Sequence, residues 1–247
     1  MTEIAFSELW YWFLLGAVIS YFIGCFNFAV LISGLKHKDI RHIGSGNPGT
    51  MNMTRTFGLK IGLINFFCDG LKGAIPVLCG YFIFRGYLFE GTDVVVSDFA
   101  RYFFGVFAVI GHVFPVTMKF KGGKGIATTI GLFWCALSCE TWWFVFIGLG
   151  IFICLFIYVY ITEWGSMASL LGVSVYTIWQ AVIFILRYAD EMLNVYVVLC
   201  LMLLLVFNLI TWIAHHKNLV RLMAGEEHHT SVKKMLRKKK AKKQAQA

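Results

Sequence analysis

Charge is what this sequence has least of. Only 14% of its 247 residues are Asp, Glu, Lys or Arg, against 59% that are hydrophobic. The charges cluster, and the stretches between them reach about 20 apolar residues, the length that crosses roughly 30 Å of hydrocarbon. No polar stretch is long enough for a soluble domain of useful size, so the chain reads as a polytopic membrane protein. The first ten residues, MTEIAFSELW, lack both a basic segment and a cleavage site. The first apolar run is therefore read as a retained span and not a secretory signal. No CxxC occurs. The seven cysteines (25, 68, 79, 135, 139, 154, 200) all lie in apolar segments and read as small apolar side chains, not as a disulfide or metal framework. Acids on the inner face are too few and scattered for a Mg²⁺ cage; no metal and no cofactor is expected.

Seven segments have the character of a span: Leu9–Ser33, Ile61–Phe84, Phe99–Met118, Gly122–Cys139, Trp142–Ile161, Ser166–Leu186 and Val195–Ala214. Only Glu140 and Thr141, read as a tight turn, divide the fourth from the fifth. Charge supports the division. With seven spans and the N-terminus outside, the cytoplasmic segments 34–60, 119–125, 162–165 and 215–247 hold 18 of the 22 Lys and Arg. The outer segments hold Arg85, Arg101 and Arg187 against eight acids. Merging the two spans would put KKMLRKKKAKK outside, against the cytoplasmic bias of Lys and Arg. The predicted architecture is an all-α integral membrane protein of about seven transmembrane helices, N-terminus outside and C-terminus cytoplasmic. One transmembrane domain covers 1–227, and a basic cytoplasmic tail covers 228–247. The tail supplies much of the +9 net charge and is read as attracting anionic lipid head groups, with no nucleic-acid partner. Trp10, Trp12, Trp142, Trp143, Trp164 and Trp212 lie near span ends, as in an interfacial belt.

This topology brings the polar, glycine-rich loop segments to one face. GSGNPGTMNMTR, residues 44–55, offers the backbone of Gly44 and Gly46, the Ser45 hydroxyl, the Asn47 and Asn52 amides and the planar fork of Arg55. KFKGGKGIATT, residues 119–129, offers Lys119, Lys121 and Lys124, the bare amides of Gly122 and Gly123, and a helix start. Exposed amides at a helix N-terminus suit an anion, phosphate above all. A nucleotide P-loop is excluded, because Gly123-Lys124 is followed by Gly125 and not by Ser or Thr. Two such loops on one face point to two phosphates. A third segment, HHKNLVRLMAGEE, follows the last span. Within the second span lies DGLKG, where Asp69 and Lys72 each cost on the order of 2.5–3.5 kcal/mol to insert. Their spacing lets them neutralise each other for packing alone; the competing reading is a polar site that uses the lysine's charge.

In order and spacing these segments resemble the bacterial acyl-phosphate-dependent glycerol-3-phosphate acyltransferases, a membrane-integral family. Its first motif, GSGNPGATN followed by an arginine, appears as GSGNPGTMNMTR, with Thr50-Met51 in place of Ala-Thr. Its second, GHxxPxxxxFKGGKGxAT, is met in full from Gly111 to Thr128. Its third, HxxNxxRLxxGxE, is met by His215, Asn218, Arg221, Leu222, Gly225 and Glu227, and DGxKG belongs to the pattern. The likeness covers about residues 10 to 230. It implies transfer of a fatty acyl group from acyl phosphate to the 1-hydroxyl of sn-glycerol 3-phosphate. The products are lysophosphatidic acid and phosphate, in phospholipid biosynthesis at the bacterial inner membrane with a cytoplasmic active site. The implied partners are glycerol 3-phosphate, long-chain acyl phosphate and membrane lipids, with functional coupling to the enzyme that makes the acyl phosphate.

On that reading Ser45, His215 and Asn218 are catalytic, the last two orienting the attacking hydroxyl while the donor phosphate takes the proton. Ser45, the amides around Gly46 and Asn47, and the cationic lysines, Lys124 among them, hold the donor phosphate, and Gly44, Gly122 and Gly123 belong to the substrate-binding set. Arg55 and Lys121 clamp the glycerol phosphate, and Lys72 completes the field. Asn52, Asp69, His112, Thr128 and Arg221 belong to the binding set. The His-x4-Asp dyad of thioester-dependent acyltransferases is absent: no histidine has Asp five places on. Blander readings stand beside these. Ser45 is then a turn hydroxyl, His215 a helix-end residue, His112 with Pro115 a shaper of the third span's end, and Glu227 a partner for a loop arginine. The apolar tract Val195–Phe207 lines an acyl groove or simply meets lipid. An organic-phosphate transporter is the alternative function, against which stand the lack of an internal repeat and the crowding of polar segments on one face.

Overall fold

The computed structural model describes residues 1–227, so the predicted basic tail lies outside the described residues. Among these described residues, ten α-helices account for almost all of the secondary structure: α1 (Trp10–Cys25), α2 (Phe28–Gly34), α3 (Thr50–Phe57), α4 (Leu59–Phe84), α5 (Val96–Val113), α6 (Ile126–Glu140), α7 (Phe144–Thr162), α8 (Gly165–Arg187), α9 (Val195–Ala214) and α10 (His216–Met223). Among the described residues, six segments are long and apolar enough to cross a membrane: Trp10–Gly34, α4, Val96–Met118, α7, α8 and α9. The seventh apolar helix, α6, has 15 residues, about 22 Å at 1.5 Å per residue. It starts at Ile126, later than the predicted Gly122, because residues 122–125 stay in the loop. The predicted turn after Glu140 is present, with α7 beginning at Phe144. One small element was not expected: β1 (Thr2–Ile4) pairs in parallel with β2 (Tyr87–Phe89).

The first predicted span is two helices. α1 stops at Cys25, and Asn27 caps α2 by accepting from the Val30 N–H at 3.0 Å. The break turns carbonyls away from helical partners and toward α4. Lys72 Nζ donates to the carbonyls of Gly24 at 3.2 Å and Phe26 at 2.7 Å, and lies 3.1 Å from Asp69 Oδ1. The ammonium that the sequence places inside a span is thus met by a carboxylate one turn away and by the end of a broken helix.

α5 is the centre of the bundle. Fifteen of its 18 residues are buried, against α1, α4, α6 and α9. The α4–α6 contact is close enough to exclude side chains: a Cβ on Gly131 would come within 2.6 Å of the Gly70 backbone. At the other extreme, α7 fully buries only Gly148, its other residues being half-buried or exposed.

A polar clamp closes the end of α5 near its N-terminus. Arg101, fully buried, donates to Asp98 Oδ1 at 2.5 Å, Glu140 Oε1 at 2.7 Å and the Ala136 carbonyl at 3.0 Å. Arg187 binds the other oxygens of both carboxylates, while Tyr188 donates to Asp98 and Gln180 to Glu140. Two arginines and two carboxylates therefore tie α5, α6 and α8 together with no net charge. Glu140, the residue that marked a turn in the sequence, is a buried member of this clamp. Replacing one member strands the others, a cost of about 3–5 kcal/mol when the pair is buried. Arg101→Met is expected to lower the thermal unfolding midpoint of the purified protein more than Arg187→Met, whose parent side chain is 36% exposed. Equal losses would remove the clamp from the stability account.

Candidate functional site

The first loop is folded around Asn52, in the first turn of α3. Its buried amide donates to the carbonyls of Ile43 at 2.8 Å and Ile40 at 3.3 Å, and its Oδ1 accepts from the Ser45 N–H at 3.3 Å. Gly44 and Gly46 adopt φ of 61° and 69°, a region glycine enters without a Cβ penalty. Asn52 is therefore occupied with shaping the loop that presents the exposed Ser45. Asn27, at the break in the first span, ties this loop to the bundle by donating to the Pro48 carbonyl at 3.3 Å.

The second loop packs directly on the first. A Cβ on Gly123 would run into the His112 ring and come within 3.2 Å of the Pro48 carbonyl, so only glycine permits this approach. His112 is buried, with Nδ1 3.3 Å from Thr128 Oγ1 and 3.9 Å from Asp69 Oδ1. Asn65 donates to Asp69 Oδ2 at 2.8 Å and to Thr50 Oγ1 at 3.3 Å. This buried network joins the DGLKG segment to both loops.

The third segment supplies the remaining wall. Asn218 accepts from Lys124 Nζ, and its own amide donates to Ser166 Oγ at 2.8 Å and Glu227 Oε1 at 2.7 Å. The Ser166 hydroxyl donates to the same Glu227 oxygen at 2.6 Å, and Arg221 Nε donates to the other at 3.2 Å. Glu227 is thus the brace of the cluster. Burial raises its pKa, but the bonds from Ser166 and Asn218 and the charge of Arg221 outweigh this and hold it below the usual carboxylate range. Ser166 was not singled out in the sequence. Its only available signal was a hydroxyl in the first turn of a helix opening on the polar face.

Two titrations define the electrostatics. Burial lowers the Lys124 ammonium to about 8, helped by Arg221 and Arg55 and opposed by Glu227. Burial, then the Lys124 charge, lowers His215 to about 4, so the imidazole is neutral at pH 7. Its Nδ1 lies 2.9 Å from the Thr211 carbonyl, which only accepts, so Nδ1 carries the proton and Nε2 is left as an acceptor.

All three segments border one cavity of about 2120 Å³. Of the sequence-predicted site residues, Ser45, Gly46, Asn47, Asn52, Arg55, Asp69, His112, Lys121, Gly122, Gly123, Lys124, His215, Asn218 and Arg221 line it. Gly44, Lys72 and Thr128 do not. Lys72 is buried behind Asp69, against α1, and Thr128 sits behind His112. The first turns of α3, α4, α6, α8 and α10 border the space, and so do the last turns of α5 and α9, so helix ends of both signs meet there. Arg41, Arg55, Lys60, Lys119, Lys121, Lys124, Lys217 and Arg221 also line it, against the carboxylates of Asp69 and Glu227. Deeper in, the lining turns apolar: Leu63 and Phe66 of α4, Ile130 of α6, and Phe152, Leu155, Phe156 and Val159 of α7. The tract Val195–Phe207 contributes nothing to this wall; Val197, Cys200, Leu204 and Phe207 point into the core instead. Among the described residues, no group of three His, Cys, Asp or Glu is placed to hold a metal ion.

A family model described as glycerol-3-phosphate acyltransferase matches residues 14–225. The chain is 36% identical over 216 residues to a glycerol-3-phosphate acyltransferase of Bartonella henselae, covering 85% of this chain and 88% of that one. It is 33% identical over 227 residues to one of Pseudothermotoga lettingae, covering 92% and 98%. Among solved structures, an integral membrane glycerol 3-phosphate acyltransferase in its glycerol 3-phosphate form superposes with a TM-score of 0.68 at 29% identity, over 91% of this chain and 98% of that chain.

The Lys124 titration gives a direct check of the cluster. Sulfate keeps its charge across neutral pH, so its binding should weaken as pH rises through about 8 and Lys124 loses its proton. Because Glu227 raises the Lys124 pKa, Glu227→Gln should move that midpoint to lower pH. A midpoint that stays put or rises removes Lys124 from the anion site.

Proposed function

The chain belongs to the glycerol-3-phosphate acyltransferase family, and from that premise we propose that it acylates the 1-hydroxyl of sn-glycerol 3-phosphate with acyl phosphate as donor. The observation that carries this reading is the continuity of the cavity. One end collects the two glycine loops and an excess of Lys and Arg over carboxylates, and the other is lined by Phe, Leu, Ile and Val. Two phosphates belong at the first end, and a hydrocarbon chain at the second.

In this scheme Ser45, the amides of the glycine loops and Lys124 hold the donor phosphate, while Arg55 and Lys121 clamp the glycerol phosphate. Lys72 takes no part in the clamp, since its ammonium is engaged by Asp69 and two carbonyls. The glycerol 1-hydroxyl attacks the acyl carbon and the carbon–oxygen bond to phosphate breaks. The hydroxyl proton passes to the departing phosphate, leaving 1-acyl-sn-glycerol 3-phosphate and hydrogen phosphate. A mixed anhydride has a good leaving group, so positioning and charge stabilisation carry most of the barrier reduction. A histidine with its pKa near 4 is a weak base; His215 Nε2 is suited to accept from the hydroxyl and fix its direction. The lysine and arginine bias supports a cytoplasmic position for this end, at the inner membrane.

Purified protein in detergent, given long-chain acyl phosphate and glycerol 3-phosphate, is expected to release lysophosphatidate and phosphate in equal amounts. A folded protein that binds glycerol phosphate without turnover would favour a transporter. Arg55→Ala and Lys121→Ala should each lower kcat/KM by about tenfold or more, the loss of one charged hydrogen-bonding partner at about 1.5–3 kcal/mol. Unchanged kcat/KM in both folded variants refutes the clamp.

A further inference from the structure

The apolar arm of the cavity ends at a constructed feature. Phe66 of α4 and Phe152 of α7 meet across it with ring centroids 5.5 Å apart at 41°. Phe152 is backed in turn by Trp134 of α6, at 6.0 Å and 31°. Trp134 itself is fixed, since its indole donates to the Val145 carbonyl at 3.0 Å and its ring lies so near α7 that a Cβ on Gly148 would come within 2.7 Å. The contact bridges α4 and α7, and on the polar side of it Leu63 and Phe156 line the cavity while being 45% and 52% exposed. Outward-facing apolar side chains on both helices make that side of the arm an opening toward lipid.

We propose that Phe66 and Phe152 form an aromatic bar over this lateral opening and determine the shape of acyl chain accepted in the middle of its length. The proposal rests on the acyl-transfer reading of the same cavity, whose occupant in the arm is the donor's hydrocarbon chain. Val159 and Phe152 stand seven residues apart on α7, about 10 Å along its axis, roughly the reach of eight methylenes. A chain anchored by its phosphate at the polar end meets the bar near that carbon and passes beneath it into the bilayer. Beyond the bar the chain lies in lipid, where extra length meets no protein wall. At the bar, a methyl branch or a cis bend has to displace two rings, one held in place by a locked tryptophan. Selection therefore falls on mid-chain shape and not on total length.

The test compares straight hexadecanoyl phosphate with its isomer of equal carbon number methylated near the eighth carbon. One misplaced methyl group at a rigid wall is worth about tenfold or more in kcat/KM. The wild type is expected to prefer the straight donor by that margin and to be indifferent between straight donors of 14 and 18 carbons (roughly two methylenes either side of hexadecanoyl, all beyond the bar). Phe66→Ala and Phe152→Ala should bring the straight-to-branched ratio near one, while Leu71→Ala, on the exposed face of α4 and outside the cavity lining, leaves it unchanged. Should either alanine variant unfold early, Phe66→Leu and Phe152→Leu keep the apolar contact and still narrow the ratio. A ratio unaltered in active variants at both positions overturns the proposal, as does a wild type that discriminates by length alone. No turnover by the wild type with any acyl phosphate instead strikes the acyl-transfer reading itself.

Discussion

A charge in hydrocarbon has to be neutralised within its own hydrogen-bonding reach, and much of this structure follows from that constraint. Lys72 and Asp69 satisfy it in the middle of α4, but only because the first span is broken at Phe26 and gives up two carbonyls to the ammonium. The break has further consequences. It places Asn27 where it caps α2 and also holds the Pro48 carbonyl of the first loop. A polar pair inside a span thus sets the position of a loop on the surface. At the opposite end of α5 the same constraint yields the Arg101, Arg187, Asp98 and Glu140 clamp, balanced in charge.

The cavity is the place where the constraint is relaxed. Its basic side chains outnumber its carboxylates. Such an excess is tolerable where water or a phosphate completes the neutralisation. The contrast separates two kinds of buried lysine. Lys72 has its counter-charge built in, so it stabilises the bundle. Lys124 is bonded to Asn218 and shares only the more distant Glu227 carboxylate, so its charge remains available to an incoming anion. Its lowered pKa records the same shortage of compensation.

Most of the architecture was legible in the sequence because hydrocarbon imposes a length and a composition on each span. The division at Glu140 was read as a turn and supported by the distribution of charge, and the structure puts a helix end there. What could not be read were features that depend on tertiary partners. The break at Phe26 has no proline to signal it, only Gly24 two residues before, and is explained by Lys72, 46 positions away. Ser166 joins the site through Asn218 and Glu227, at separations of 52 and 61 residues. Asn52 looked like a ligand residue because amides bind phosphates, yet its hydrogen bonds go to its own loop. Composition told which residue types the chemistry needs; it did not tell which of them the backbone would consume.

The placement of the apolar arm follows from how tightly the other helices pack. α4 and α6 touch through Gly70 and Gly131, which leaves no room between them for a chain. α5 is enclosed by its neighbours on all sides. α7 alone among the long helices buries almost nothing, so a hydrocarbon chain can lie along its inner side without displacing a packed core. A reaction between a water-soluble polyol phosphate and a lipid-borne donor requires such an asymmetry. One wall has to be rigid enough to fix two phosphates against their mutual repulsion, and the other has to be open enough to exchange a long chain with the bilayer. The glycine-mediated crossing and the outward-facing α7 supply those two walls, and the loops at 44–55 and 119–125 stand where they meet.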